Sequence, residues 1–138
     1  MLNHAKAEYY AHPTAQELDL DEERTRQTVR LVAQAAEDRK AEDITVLKVS
    51  EVSYLADYFI IVTGFSHVQV RAIYQAISKQ VEQDAQRVPI SIAGQREGSW
   101  ILIDYGDVVV HIMLPEDREF YSLEAFWGHA ERVNWSTL

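Results

Sequence analysis

The apolar positions divide the chain into runs of strand length and stretches with helical spacing. Asp21-Glu22-Glu23 opens the first helical stretch, because acids there accept from free N–H groups and face the positive end of the helix dipole. Val29, Val32, Ala33 and Ala36 recur behind them at helical spacing, and Arg39-Lys40 supplies cations at the far end. Ile44 to Val49 reads as a short β-rich run, and Ser50 to Asp57 as a connection. Tyr58-Phe59-Ile60-Ile61-Val62-Thr63 is continuously apolar over strand length, as in a central strand covered on both faces.

Gly64-Phe65-Ser66 then turns the chain into a second helix. Ser66 stands at the N-cap, Gln69 completes a capping box, and Phe65 with Val70 forms a hydrophobic staple. Val70, Ile73, Tyr74, Ile77 and Val81 line one side, and the helix stops before Val88-Pro89. Ile90 to Gly94 reads as a short strand and Gln95 to Ser99 as a polar loop. Trp100 to Tyr105 and Val108 to Met113 flank Gly106-Asp107, which signals a tight hairpin. After Pro115, Glu116-Asp117 opens a last helix that runs to Gly128, with Phe120, Tyr121 and Trp127 as its core aromatics. The order predicts an α/β fold: a mixed sheet of about five strands flanked by about three helices, with a right-handed crossover. The domain spans 21–128, preceded by a flexible extension over 1–20, mobile or loosely docked, and followed by a tail over 129–138.

A two-residue turn fixes the hairpin register. Ile101, Ile103, Tyr105, Val108, Val110 and Ile112 share one face, which is nearly all aliphatic and meets the core helices. Trp100, Leu102, Asp104, Val109, His111 and Met113 share the other. That face mixes an aromatic, an acid, an imidazole and a thioether, the composition of an interface with Trp100 as anchor. His111 stands diagonal to Asp104, within pairing reach. The competing reading covers this face with another element and makes His111 and Asp104 an internal pair.

Charge narrows the choice of partner. Thirteen basic against 22 acidic side chains give a net charge of −9. A field of that sign repels phosphate, so direct nucleic-acid binding is disfavoured and a basic protein fits better. The acidity also serves solubility. The apolar fraction of 47% and charged fraction of 25% are those of an ordinary globular domain. No apolar run is long enough to span a membrane, no secretory h-region opens the chain, and there is no cysteine. These features suit the cytoplasm.

Catalytic patterns are weak. The Gly64-Phe65-Ser66 turn resembles phosphate-binding turns and the Gly-Ser turn of nucleotidyltransferases. Such enzymes need a carboxylate pair for Mg²⁺, and Ile90-Ser91-Ile92-Ala93 carries no acid. Capping explains the turn without chemistry. His4, His12, His67, His111 and His129 show no metal-ligand spacing, and Asp57 reads as a strand-start residue. The expectation is a non-enzyme without metal or cofactor; a nucleotide-handling enzyme and a dimeric adaptor for another complex stand as alternatives.

Several collinear motifs carry a family resemblance. Ala41-Glu42-Asp43-Ile44, Ala56-Asp57-Tyr58-Phe59-Ile60-Ile61 and Thr63-Gly64-Phe65-Ser66-His67 resemble the first half of the ribosomal silencing factor (RsfS, or Iojap) family. Gly98-Ser99-Trp100, Asp104 to His111 and Glu119 to Trp127 resemble the second half. The resemblance covers about Thr25 to Trp127 and implies a nucleotidyltransferase-like fold without transferase activity, often as a homodimer. It further implies binding to the large-subunit ribosomal protein uL-fourteen, which blocks subunit joining and represses translation when nutrients are short. Family members link the tryptophan at the position of Trp100 and neighbouring sheet residues to that contact. Carried onto this chain, the partner-binding candidates are Trp100, Leu102, Asp104, His111 and Met113. Lys48 stands where relatives usually carry an acid, and Ala93 where a Glu is common.

Overall fold

The structure, a computed structural model, describes residues 12–138. Helix α1 (Ala15–Asp38) starts upstream of the acidic cluster that the sequence pattern singles out. Thr14 caps it: the Thr14 hydroxyl accepts from the Glu17 N–H, and the Glu17 carboxylate accepts from the Thr14 N–H, each over 3.1 Å. Asp21-Glu22-Glu23 therefore lies inside the helix, where Glu23 pairs with Arg26 and Arg30. Of the extension expected over 1–20, residues 15–20 are helical, Thr14 caps them, and residues 1–11 lie outside the described residues.

Strand β1 (Glu42–Lys48) pairs antiparallel with β2 (Tyr58–Thr63), all of whose residues are buried. Helix α2 (His67–Ala85) follows, with Ser66 as N-cap accepting from the Gln69 N–H over 3.0 Å. The Gln69 side-chain Oε1 accepts from the Phe65 N–H, not from that of Ser66. Of the expected staple pair, Val70 is buried and Phe65 stays mostly exposed. Strands β3 (Ser91–Ala93), β4 (Trp100–Asp104) and β5 (Val108–Met113) form an antiparallel meander, and β5 runs parallel to β2. The hairpin register is the one the two-residue turn demands, from Trp100 opposite Met113 to Asp104 opposite Val109.

Two departures concern the C-terminal part. The last helix is broken: α3 (Pro115–Tyr121) and α4 (Leu123–Phe126) meet at Ser122, whose φ of 48° is left-handed. Residues 129–138, read as a tail, supply a sixth strand, β6 (Glu131–Val133), on the outer edge of β1. A short 3-10 turn (Trp135–Thr137) follows, and Trp135 packs against the main core. The sheet order is β3-β4-β5-β2-β1-β6, one strand more than the hydrophobic pattern predicts.

The sheet has two unlike faces. Helices α1 and α2 cover one, where Val29, Val32, Ile73 and Ile77 meet Ile60, Ile101, Ile103 and Ile112. This is the aliphatic face of the hairpin, and it is fully buried as expected. The other face carries Leu47, Phe59, Ile61, Val109 and Met113 and is roofed only partly, by Leu123 and Trp127.

Candidate functional site

The second face of the hairpin holds the residues that the sequence marks as partner-binding. Alternation along β4 and β5 puts all of them on one side, but at two depths. Trp100, Leu102 and Asp104 are partly exposed. His111 and Met113 are buried, so neither offers surface to a partner in this arrangement. The cause is the short α3–α4 segment, which folds back over β5 and β2, lays Leu123 and Trp127 across them and sets Tyr121 against Trp100.

The expected Asp104–His111 pair does not form. The Asp104 carboxylate turns toward the hairpin loop and accepts from the Gly106 N–H over 2.7 Å. His111 has Trp100 and Asp104 as its two diagonal neighbours on β4, and it engages Trp100: the indole Nε1–H donates to His111 Nδ1 over 3.1 Å. Nδ1 therefore accepts, and the proton of the neutral ring sits on Nε2, which has no partner. Burial pushes the imidazole pKa down to about 4, because the charged form loses its water and gains no anion.

Around this pair runs an unbroken chain of aromatic rings. Phe120 meets Tyr121 at 5.0 Å between centroids, Tyr121 meets Trp100 at 4.8 Å, and Trp100 meets His111 at 5.8 Å. His111 then meets Phe59 at 5.5 Å, Phe59 meets Trp127 at 5.1 Å, and Trp127 meets Phe126 at 5.1 Å. The middle of the chain is buried and both ends emerge: Phe120 is 80% exposed, Tyr121 50% and Phe126 77%. Phe120 and Tyr121 are thus surface aromatics, not the core residues that helical spacing suggests. The break at Ser122 rotates the chain so that Tyr121 and Leu123 face the sheet while Phe120 and Phe126 face outward. Exposed large aromatics grouped in this way have the composition common at interaction surfaces. The doublets Phe120-Tyr121 and Phe126-Trp127, too rich for one face of a short helix, were the available sequence signal.

Arg118 holds the segment in place, and nothing in the sequence pattern pointed to it. Its guanidinium is buried and donates to Thr63 Oγ1, Thr45 Oγ1 and the Asp43 carbonyl, at 2.9, 2.9 and 2.6 Å. The Glu124 carboxylate pairs with its Nε over 3.0 Å. One side chain thereby ties both short helices to β1 and β2.

Two of the three N–H groups of the Gly64-Phe65-Ser66 turn are paired within the protein. The N–H of Gly64 donates to the Met113 carbonyl, that of Phe65 to Gln69, and that of Gln69 to the Ser66 hydroxyl. Gly64 is required by close approach, since a Cβ there would lie 2.9 Å from Val70 Cγ2. His67 is exposed and donates through Nδ1 to the Glu97 carbonyl over 2.8 Å. Among the described residues no group of three or more His, Asp or Glu is placed to hold a metal ion, and no helix is long and apolar enough to cross a membrane.

Comparison with known proteins agrees with the resemblance read from the motifs. A family model described as "Ribosomal silencing factor during starvation" matches residues 22–138. The ribosomal silencing factor RsfS of Bacillus subtilis is 40% identical over 102 residues, covering 74% of this chain and 86% of the relative. The chloroplastic protein Iojap of Zea mays is 43% identical over 102 residues, 74% of this chain and 44% of the relative. A crystal structure of a protein from Chromobacterium violaceum superposes with a TM-score of 0.72 at 37% identity, covering 74% of this chain and 84% of the other.

Proposed function

The chain belongs to the ribosomal silencing factor family, and from that premise we propose that it silences ribosomes by occupying the large subunit with its aromatic face. The contact is with the ribosomal protein uL-fourteen, and the bound protein blocks joining of the small subunit when nutrients are short. It acts by steric occupation and not by catalysis, in the cytoplasm. The observation that carries this reading is the exposed end of the ring chain. Tyr121 touches both Trp100 and Phe120 at the margin of the sheet, with the half-open Leu102 and Asp104 beside Trp100 on β4. Aromatic anchors with a polar margin are what a protein-binding patch needs.

Two further features support the choice of partner. The net charge of −9 suits a basic ribosomal protein and disfavours direct contact with RNA. The proposed contact set also departs from the sequence expectation: Trp100, Leu102 and Asp104 remain, His111 and Met113 serve beneath the surface, and Phe120 and Tyr121 join.

The test is sedimentation of separated subunits with and without the purified protein. Joining should fall as the protein is added, and the large subunit should carry it down the gradient. Trp100→Ala should weaken large-subunit binding by about 2 kcal/mol, the loss typical of an interface anchor. Unaltered joining at saturating protein would overturn the reading. A homodimer through the same aromatic face would compete with ribosome binding, and occupancy of the large subunit would then rise less steeply with protein concentration above the dimer constant.

A further inference from the structure

His111 is the least economical residue of the site. It is 5% exposed and sits among Phe59, Trp100 and Met113. Its Nε2–H has no acceptor, and a buried donor without a partner is unfavourable. An aliphatic side chain would fill the same position without that penalty. What the imidazole supplies, and an aliphatic residue does not, is the Nδ1 acceptor 3.1 Å from the Trp100 indole N–H.

Trp100 needs such an acceptor to have one orientation. It is the first residue of β4, next to the polar loop, and only partly buried. One side of its ring meets Tyr121, which is itself half exposed. His111 lies beneath the ring and Tyr121 beside it, but ring contacts alone do not fix direction, so the hydrogen bond from below supplies directional restraint. A side chain already held in its bound rotamer loses less entropy on binding than one that must be immobilised at the interface.

We infer that His111 is a positioning residue for partner binding: from beneath the surface it fixes the Trp100 indole in its docking orientation without touching the partner. The inference rests on the proposed role of Trp100 as an anchor, but its structural half is open to measurement without any ribosome. In this arrangement the acceptor must be Nδ1, so an asparagine, whose side-chain oxygen reaches about the same place, replaces it. Leucine does not.

The experiment compares His111→Leu and His111→Asn in the full chain. The indole N–H proton resonances are assigned by Trp100→Phe, and large-subunit affinity is measured alongside thermal unfolding. His111→Leu is expected to fold with unchanged or raised thermal stability, to move the Trp100 indole resonance toward that of a solvent-exposed indole, and to weaken binding by roughly two- to tenfold. His111→Asn is expected to keep the resonance and the affinity close to those of the unaltered protein. A loss of stability and affinity together in His111→Leu, with the resonance unmoved, would show an ordinary core residue and overturn the inference. Equal weakening by both variants would overturn it as well. If the unaltered protein does not bind large subunits, the functional reading fails, and the indole resonance alone then decides whether His111 orients Trp100.

Discussion

Arg87 and Asp107 form an ion pair of 2.7 Å that joins the end of α2 to the turn of the β4–β5 hairpin. Both side chains are largely buried, and each has further partners. Arg87 also donates to the Tyr105 carbonyl and the Thr28 hydroxyl, and Asp107 accepts from Thr25 over 2.6 Å. The Asp107 carbonyl accepts from the N–H groups of Asp57 and Tyr58 at the start of β2. The turn residue is thus the point where α1, α2, β2 and the hairpin are tied together. Asp107→Asn should lower stability by about 3 kcal/mol, because it leaves a buried guanidinium without its anion. Denaturant unfolding measures this; a loss below about 1 kcal/mol would show that solvent screens the pair.

Arg118 makes the corresponding prediction for the aromatic face. Arg118→Met removes the shared partner of Thr45, Thr63 and Glu124. The expected loss is about 3 kcal/mol or more, together with faster amide exchange across residues 115–126. Arg118→Lys should recover little of it, since one ammonium cannot reproduce a fork aimed at several oxygens. Recovery of full protection by lysine would contradict this account.

Acid should loosen the protein in two stages. The folded pKa of His111 is pushed from 6.5 down to about 4, so between those values the unfolded chain binds a proton that the folded one excludes. Stability contributed by the neutral ring is complete above about pH 6.5 and declines as pH falls toward 4, by on the order of 3 kcal/mol. Burial pushes the Asp107 carboxyl up, but hydrogen bonds from Arg87 and Thr25 outweigh it and hold the group below its usual range. Its contribution is present above its ordinary pKa and disappears at still lower pH. His111→Leu should remove the first stage and keep the second. A variant whose unfolding midpoint follows the same curve between pH 7 and 4 as the unaltered protein would refute the assignment.

Gly94 occupies a left-handed position, with φ of 86°, where the chain leaves β3. A Cβ there would lie 1.9 Å from the Trp100 carbonyl oxygen, so the backbone itself must move. Gly94→Ala should cost about 2 kcal/mol or more in thermal or denaturant unfolding. It should also weaken large-subunit binding, because the displaced segment carries Trp100.

Phe120 offers a cleaner probe of the surface. It is mostly exposed, so Phe120→Ser should leave the unfolding midpoint nearly unchanged. In the proposed site the same change should weaken large-subunit binding by about 1 kcal/mol or more. Equal affinity of the two proteins in a pull-down titration would place Phe120 outside the contact.

The hairpin was legible from sequence because two physical rules act on it without interference. Gly106-Asp107 sets the turn, and alternation then assigns every side chain to a face. The buried run Tyr58 to Thr63 was legible for a similar reason, since only a central strand accommodates apolar residues on both sides. The depth of His111 and Met113 was not legible, because it depends on α3–α4 folding back over them. That segment is too short for helical periodicity to show which residues face inward, and its break rests on one left-handed residue, Ser122. The choice of Trp100 over Asp104 as the partner of His111 lay beyond pattern reading too: the register makes both diagonal neighbours, and only side-chain packing separates them. Glu131-Arg132-Val133 has no strand signature of its own and becomes a strand by docking on β1.

That last pairing has a consequence for how the protein is made. Val46 on β1 has Val133 as its partner across the sheet, so the outer edge of β1 stays open from the time β1 leaves the ribosome until residues 131–133 emerge. During that interval β1 presents a row of unpaired backbone donors and acceptors, a template for wrong pairing between neighbouring nascent chains. A chain ended by a stop codon before Glu131 would keep that edge for its lifetime, with every residue of the aromatic face present, and its fate would be decided by aggregation before its binding was ever tested.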